Sequence, residues 1–276
     1  MISKTHKNVG IIGGTHGTGA QFATLLKQQG FHVRVSGRKT KIVNEQLAKE
    51  SDILIFAPPL THSVEIIGKT IPHCRKKDQW VLDVCSLKTR QVNAMKKAAG
   101  HVVGMHPLFG SNFTNVQGQD IILCPVSKTH LPDVTRLLET LGLNVHIMTP
   151  HKYDRLMATV QVIPHLNALI SGSLFRALGI HPEDSLKICS PVYKTELYMI
   201  GRIYAQNPEL YSAILAQNPL SKKVAQKLTS IVTNLAIEIA HGNADLLTKT
   251  FKLNQKHFGA FAQKALTQSQ KIFKNM

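Results

Sequence analysis

The chain has 276 residues, 43% of them apolar and 18% charged, which is enough to build one large core or two ordinary ones and excludes a wholly disordered chain. Lys and Arg number 33 against 16 Asp and Glu, a formal net charge of +17, so the favoured partners are anions: nucleic acid, acidic membrane, or small phosphorylated and carboxylated ligands. No apolar run approaches the ~20 residues that span a bilayer, residues 1–7 lack the apolar stretch of a secretory signal, and Cys74, Cys85, Cys124 and Cys189 form no C-x-x-C pair, so neither a disulfide framework nor a metal site is indicated and the cytoplasm is the expected location.

Short β-rich runs alternate with helical stretches through the first half. Strands are predicted at residues 9–12, 32–35, 53–57, 80–84, 102–105, 121–124 and 145–148. Several are continuous apolar runs, the pattern of strands covered on both faces. Helices are predicted at 20–29, where Gly30 is a natural stop, and at 63–70, 90–98 and 132–141. This alternation predicts an α/β, Rossmann-type, doubly wound and mostly parallel sheet as a dinucleotide-binding domain over residues 1–149. After Thr149-Pro150 the helical period takes over. Pro182, Pro191, Pro208 and Pro219 fall near helix starts or loops, and residues 210–215 and 228–239 read as amphipathic helix. Residues 150–276 are therefore expected to form an all-helical domain, which by analogy supplies a substrate pocket and a dimer contact.

The first predicted strand runs into Gly13, Gly14, Thr15, His16, Gly17, Thr18 and Gly19 and then a helix. Strand, glycine-rich turn and helix start make a dinucleotide site: glycines let the backbone approach a pyrophosphate, and a helix N-terminus offers free N–H groups. The spacing departs from G-x-G-x-x-G, because His16 stands where the middle glycine would. The end of the second strand selects the cofactor. NAD sites place Asp or Glu there to bind the ribose 2′-hydroxyl. Here the run is Ser36-Gly37-Arg38-Lys39-Thr40, with no acid before Glu45. Ser36, Arg38 and Lys39 suit a 2′-phosphate, so NADP is expected over NAD, a solvated basic loop being the alternative.

Asp83 to Lys88 follows the fourth strand, and Met105-His106-Pro107-Leu108-Phe109-Gly110 follows the fifth. Ligands of open parallel sheets bind beyond the carboxyl ends of the strands, so Ser86, Lys88 and His106 are expected to share one edge. An imidazole there can take a proton as a hydride leaves the same substrate carbon. A neighbouring serine can orient it.

The run from Gly104 to Gly110, taken with Asp83 to Lys88, resembles the prephenate dehydrogenase family. Ser190-Pro191-Val192-Tyr193-Lys194-Thr195-Glu196-Leu197, continuing to Gly201-Arg202, resembles the helical-domain motif of that family, and Gln161 and His165 fall in matching places. The resemblance runs from about Val9 to about Phe258. It implies oxidative decarboxylation of prephenate to 4-hydroxyphenylpyruvate and CO2, with a hydride passed to NAD or NADP, in tyrosine biosynthesis. It implies that His106 is catalytic and bonded to the substrate 4-hydroxyl, that Ser86 hydrogen-bonds His106, and that Lys88 lies in the same pocket. It implies that Arg202 binds the ring carboxylate, that His165 and Lys194 line the substrate pocket, and that the helical domain makes a homodimer.

The residues themselves are compatible with those roles. Lys194, Tyr198 and Arg202 recur every four positions, near one helix face. Gln161 and His165 are also four apart, with Pro164 between them to kink the helix. Lys194 departs from the arginine of some members, which keeps the charge but loses the planar two-pronged donor. The chain opens on the first strand, so no chorismate mutase module is expected before it, nor a regulatory domain after the helices. Within the class, arogenate or 4-amino-4-deoxyprephenate are alternative substrates. From other classes, the alternatives are a basic nucleic-acid-binding protein, drawing on the +17 charge and on Lys249, Lys252, Lys256, Lys264, Lys271 and Lys274, or a non-enzymatic cofactor-binding protein. Those lysines alternate with apolar residues at helical spacing and no nucleic-acid motif is present, so neither nucleic acid nor membrane is an expected partner.

Overall fold

A computed structural model of the chain describes residues 7–110, 115–126 and 128–274. All seven predicted strands form: β1 (Asn8–Ile12), β2 (His32–Ser36), β3 (Ile53–Phe56), β4 (Trp80–Asp83), β5 (His101–Pro107), β6 (Asp120–Pro125) and β7 (Asn144–Ile147). They make one sheet of order β2-β1-β3-β4-β5-β6-β7. Every pair is parallel except β5 with β6, which are antiparallel. The chain steps from β1 to β2 in one direction and from β2 to β3 past β1 in the other. The carboxyl ends of β1 and β3 therefore flank the crevice where open α/β sheets take ligands.

Side chains alternate across the sheet and fill two layers. Ile53 and Ile55 pack on one face with Phe22 and Leu26 of α1 (Gly17–Gln28). Leu54 and Phe56 pack on the other with Leu47 of α2 (Asn44–Glu50), Ile67 of α3 (Ser63–Thr70), and Val92 and Met95 of α4 (Thr89–Met95). On the first face α5 (Leu131–Thr140) adds Val134, Leu137 and Leu138. Each such side chain, taken wholly from water, contributes about 1.5–3 kcal/mol before entropy is counted. The α2 helix was not predicted; its sequence NEQLAKE buries only Leu47 and Ala48, too few to show a helical period.

The second half contains α6 (Pro150–Met157), a π-helical turn at Ala158–Val162, α7 (Ile163–Ala177), α8 (Pro182–Leu186), α9 (Pro191–Tyr204), α10 (Pro208–Gln217), α11 (Ser221–Ala240), α12 (Ala244–Phe258) and α13 (Ala260–Phe273). Pro182, Pro191 and Pro208 each open a helix, where the missing N–H costs nothing. The expected irregularity near Pro164 takes the form of the π-turn just before it. Among the described residues no helix is long and apolar enough to cross a membrane.

The chain divides into two compact units, residues 1–159 with 209–219, and residues 160–208 with 220–276. By packing, residues 150–159 and 209–219 thus group with the sheet, beyond the boundary expected at 149. Tyr153 and Met157 of α6 are fully buried in the second sheet layer, and Ala213 and Ile214 of α10 pack with Leu60, Cys85 and Leu87 at the sheet's edge. Helical period announced these helices, but not which core would bury them.

Candidate active site

Asp83 ends β4 and is wholly buried. Its carboxylate accepts from the Cys85 amide at 3.0 Å and the Met105 amide at 3.3 Å, and it pairs with the ammonium of Lys88. That ammonium also donates to the Met105 carbonyl at 2.6 Å. Burial pushes the Asp83 carboxyl up, against the opposing pull of Lys88. The side chain of Lys88, expected in the same pocket as His106, has no solvent exposure, and its charge is held between the ends of β4 and β5.

The next residue along β5 from Met105 is His106, 7% exposed. Its Nδ1 lies 2.5 Å from the hydroxyl oxygen of Tyr153, and the Tyr153 hydroxyl donates to the Ser86 carbonyl at 2.9 Å. The two rings meet edge to face, 5.7 Å between centroids. Burial, and then the charge of Lys88, hold the imidazole down to about 3. His106 is therefore neutral at physiological pH, as a proton acceptor must be. Ser86 contributes its backbone carbonyl to this group; among the described residues, no hydrogen bond joins its hydroxyl to His106. The side chain within hydrogen-bond distance of the ring is that of Tyr153.

Asp154, 2% exposed, anchors the helix that carries Tyr153. Its carboxylate accepts from the backbone N–H groups of Lys88 at 2.8 Å and Thr89 at 2.9 Å, at the start of α4. It thereby serves as an N-cap supplied from another element. The side chain of Asn218, just past α10, donates to the Asp154 carbonyl at 3.0 Å. Neither Tyr153 nor Asp154 was foreseen. Thr149-Pro150 signals a helix start, and Thr149 does cap α6, but the partners of a helical face come from how that helix crosses the sheet.

The glycine turn after β1 adopts the geometry its sequence suggests. Gly13 has φ +80°, and a Cβ there would stand 2.3 Å from the Ala57 carbonyl oxygen beyond β3. Gly17, at φ +56°, has open space where a Cβ would point. The first turn of α1 carries no acid, and its N-cap His16 forms no side-chain cap. His16 bonds Thr15 instead, at 2.9 Å. Free N–H groups at a helix start, beside the open space at Gly17, fit a dinucleotide pyrophosphate. Gly14, Thr18 and Gly19 complete this turn. Arg38 and Lys39 are exposed past β2. Ser36 is not available there: it is 1% exposed, its hydroxyl donates to Asn44 at 2.7 Å, and its carbonyl accepts from Gly13.

Residues 22–148 match the family model of the prephenate dehydrogenase nucleotide-binding domain, and residues 149–253 that of the prephenate dehydrogenase dimerization domain. The chain belongs to the prephenate dehydrogenase family. It is 31% identical, over 98% of its length, to a probable arogenate/prephenate dehydrogenase of Methanocaldococcus jannaschii, of which it spans 65%. Among solved structures it resembles the prephenate dehydrogenase of A. aeolicus in complex with hydroxyphenyl propionate and NAD+, with 22% identity, TM-score 0.70, and 92% and 98% of the two chains covered. It also resembles the arogenate dehydrogenase of Synechocystis, with 21% identity, TM-score 0.62, and 91% and 99% covered. At these identities the two structures speak for the fold.

The remaining residues matched to the family lie in the second unit. Arg202 and Tyr198 of α9 line a cavity of about 920 Å3 whose other walls include Leu169, Phe175 and Leu186. Arg202 is exposed, and Lys194, one turn before Tyr198, lies over its ring at 5.9 Å. The four-residue spacing thus holds Lys194, Tyr198 and Arg202 on neighbouring turns of one helix, as expected. His165 is half-buried on α7, and burial pushes its imidazole down.

Proposed function

We propose that the protein is a prephenate dehydrogenase that prefers NADP, acts as a homodimer in the cytoplasm and serves tyrosine biosynthesis. The observation that carries this reading is His106: a buried, neutral imidazole at the carboxyl end of β5, on the sheet edge that also bears the glycine turn after β1. The turn from Gly13 to Gly19 would hold the pyrophosphate on the free amides of α1. Arg38 and Lys39 would hold the 2′-phosphate, in a run with no acid between Ser36 and Glu45 to repel it. The bound nicotinamide supplies the hydride acceptor.

The chain's own residues then have limited tasks. Arg202 binds the ring carboxylate, and His165 and Lys194 line the substrate pocket. His106 takes the proton of the 4-hydroxyl as the C4 hydride departs and the C4–O bond becomes a carbonyl. Loss of the ring carboxylate as CO2 then leaves a phenolate, which recovers its proton from His106. The aromatic product makes the sequence irreversible. Positioning the reactants and moving one proton is what the protein contributes.

Names among the relatives divide between prephenate and arogenate, so the experiment offers the purified protein prephenate, arogenate and 4-amino-4-deoxyprephenate in turn, each with NADP and with NAD, and follows reduction of the nicotinamide by absorbance. Fastest turnover with prephenate and NADP is expected. Turnover only with arogenate would reassign the substrate, and turnover with none of them would end the reading.

A further inference from the structure

The contacts of Tyr153 determine which nitrogen of His106 is free. Tyr153 has one hydroxyl proton and two neighbours in hydrogen-bond range, the Ser86 carbonyl oxygen at 2.9 Å and His106 Nδ1 at 2.5 Å. A carbonyl only accepts, so the first contact is a hydrogen bond only if Tyr153 donates it. With that proton committed, the Tyr153 oxygen can meet Nδ1 only as an acceptor, and Nδ1 must carry the hydrogen. The opposite arrangement sets two oxygen lone pairs against each other at 2.9 Å and takes from a part-buried carbonyl the hydrogen bond that Tyr153 gives it. A neutral imidazole has one N–H, so Nε2 is bare.

We infer that Tyr153 is a positioning residue which, oriented by the Ser86 carbonyl, holds His106 in its Nδ1–H tautomer and thereby makes Nε2 the proton-accepting atom. The inference rests on the reading of His106 as the base. It gives to a tyrosine on α6 the task that the sequence assigned to the Ser86 hydroxyl. Burial raises Tyr153 well above the usual phenol range, with Asp154 adding to the shift, so the hydroxyl keeps the proton that the Ser86 carbonyl needs. The frame is stiff as well. Asp154 ties α6 to the amides of Lys88 and Thr89, in the same loop that carries Ser86, and Lys88 ties that loop to Met105, the neighbour of His106.

The test is the 15N spectrum of histidine-labelled full-length protein, with the resonances of His106 identified by their loss in His106→Asn. The expected result is a protonated Nδ1 and a pyridine-like Nε2. In Tyr153→Phe the tautomers should mix or invert, and turnover should fall roughly 10²-fold with the KM for substrate and cofactor affinity little changed. A wild-type spectrum with the proton on Nε2 would overturn the inference, as would a Tyr153→Phe protein with the tautomer and turnover of the wild type. Should that variant fail to fold, the wild-type spectrum decides by itself. The dehydrogenase reading fails separately, through absent turnover of the wild-type protein, and leaves the tautomer measurement standing.

Discussion

The two units of the chain bury themselves very differently. The sheet unit hides a wide set of apolar side chains in two layers, and with them His106, Lys88, Asp83, Tyr153 and Asp154. In the helical unit the buried apolar residues among those described are Val162, Ala168 and Leu197, and α11, α12 and α13 contribute none. Phe251 is 71% exposed and Ile188 94%. Helices with apolar faces and no core of their own need another surface to cover them. That fits the family description of this region as a dimerization domain, and it supports a second copy of the chain as the cover. The difference shows where each kind of group belongs. On the function proposed, the base is dry and held, whereas the residue that gathers an anion stays reachable.

Replacing His106 with Asn sharpens the contrast most. Turnover should fall by roughly 10²–10⁴-fold with cofactor affinity intact, as steady-state kinetics and cofactor titration would show; near-normal turnover would remove His106 from the chemistry. The same variant tests burial. With the folded imidazole near 3 and an unfolded value of about 6.5, the unfolded chain binds a proton that the folded one refuses. His106 therefore removes stability as pH falls from about 6.5 towards 3. Denaturation curves of the variant should lose less stability over that window than those of the wild type.

In the helical unit, Arg202→Ala should raise the KM for substrate by roughly 10–100-fold, the worth of a charged hydrogen bond, with thermal stability unchanged because the side chain is exposed. An unchanged KM would reassign the carboxylate contact. Asp154→Ala should do the reverse. Its loss uncovers two amides at the start of α4, and the sheet unit should lose about 2 kcal/mol in chemical denaturation. A stability equal to wild type would mean that water replaces the cap. The smallest effect on the sheet unit should come from Phe251→Glu, which is expected to shift the sedimenting mass from two chains towards one and to leave the affinity of the glycine turn for cofactor as it was. A protein already monomeric before the substitution would break the comparison itself.

Much of this was legible in order along the chain. The seven strands declared themselves as β-rich runs, and the glycines of the first turn, the histidine after Met105 and the prolines at helix starts all announced local structure. The burial of Lys88 and Ser36 was not legible, for one reason. Lysine and serine near a strand end look available to a ligand, and nothing local reveals that Asp83 and Asn44 already hold them.

Local chemistry settles the elements and their sequence, because strand period, glycine turns and helix starts depend on neighbours a few residues away. The chain's membership of the prephenate dehydrogenase family is legible at the same level, since its motifs are short and contiguous. The orientation of His106 is not. It depends on Tyr153 and Ser86, 47 and 20 positions away in the chain, and those meet only because α6 crosses one face of the sheet. The allotment of α6 and α10 to the sheet unit was likewise a matter of packing: a helix records that it has an apolar face, and only the folded chain supplies the surface that covers it.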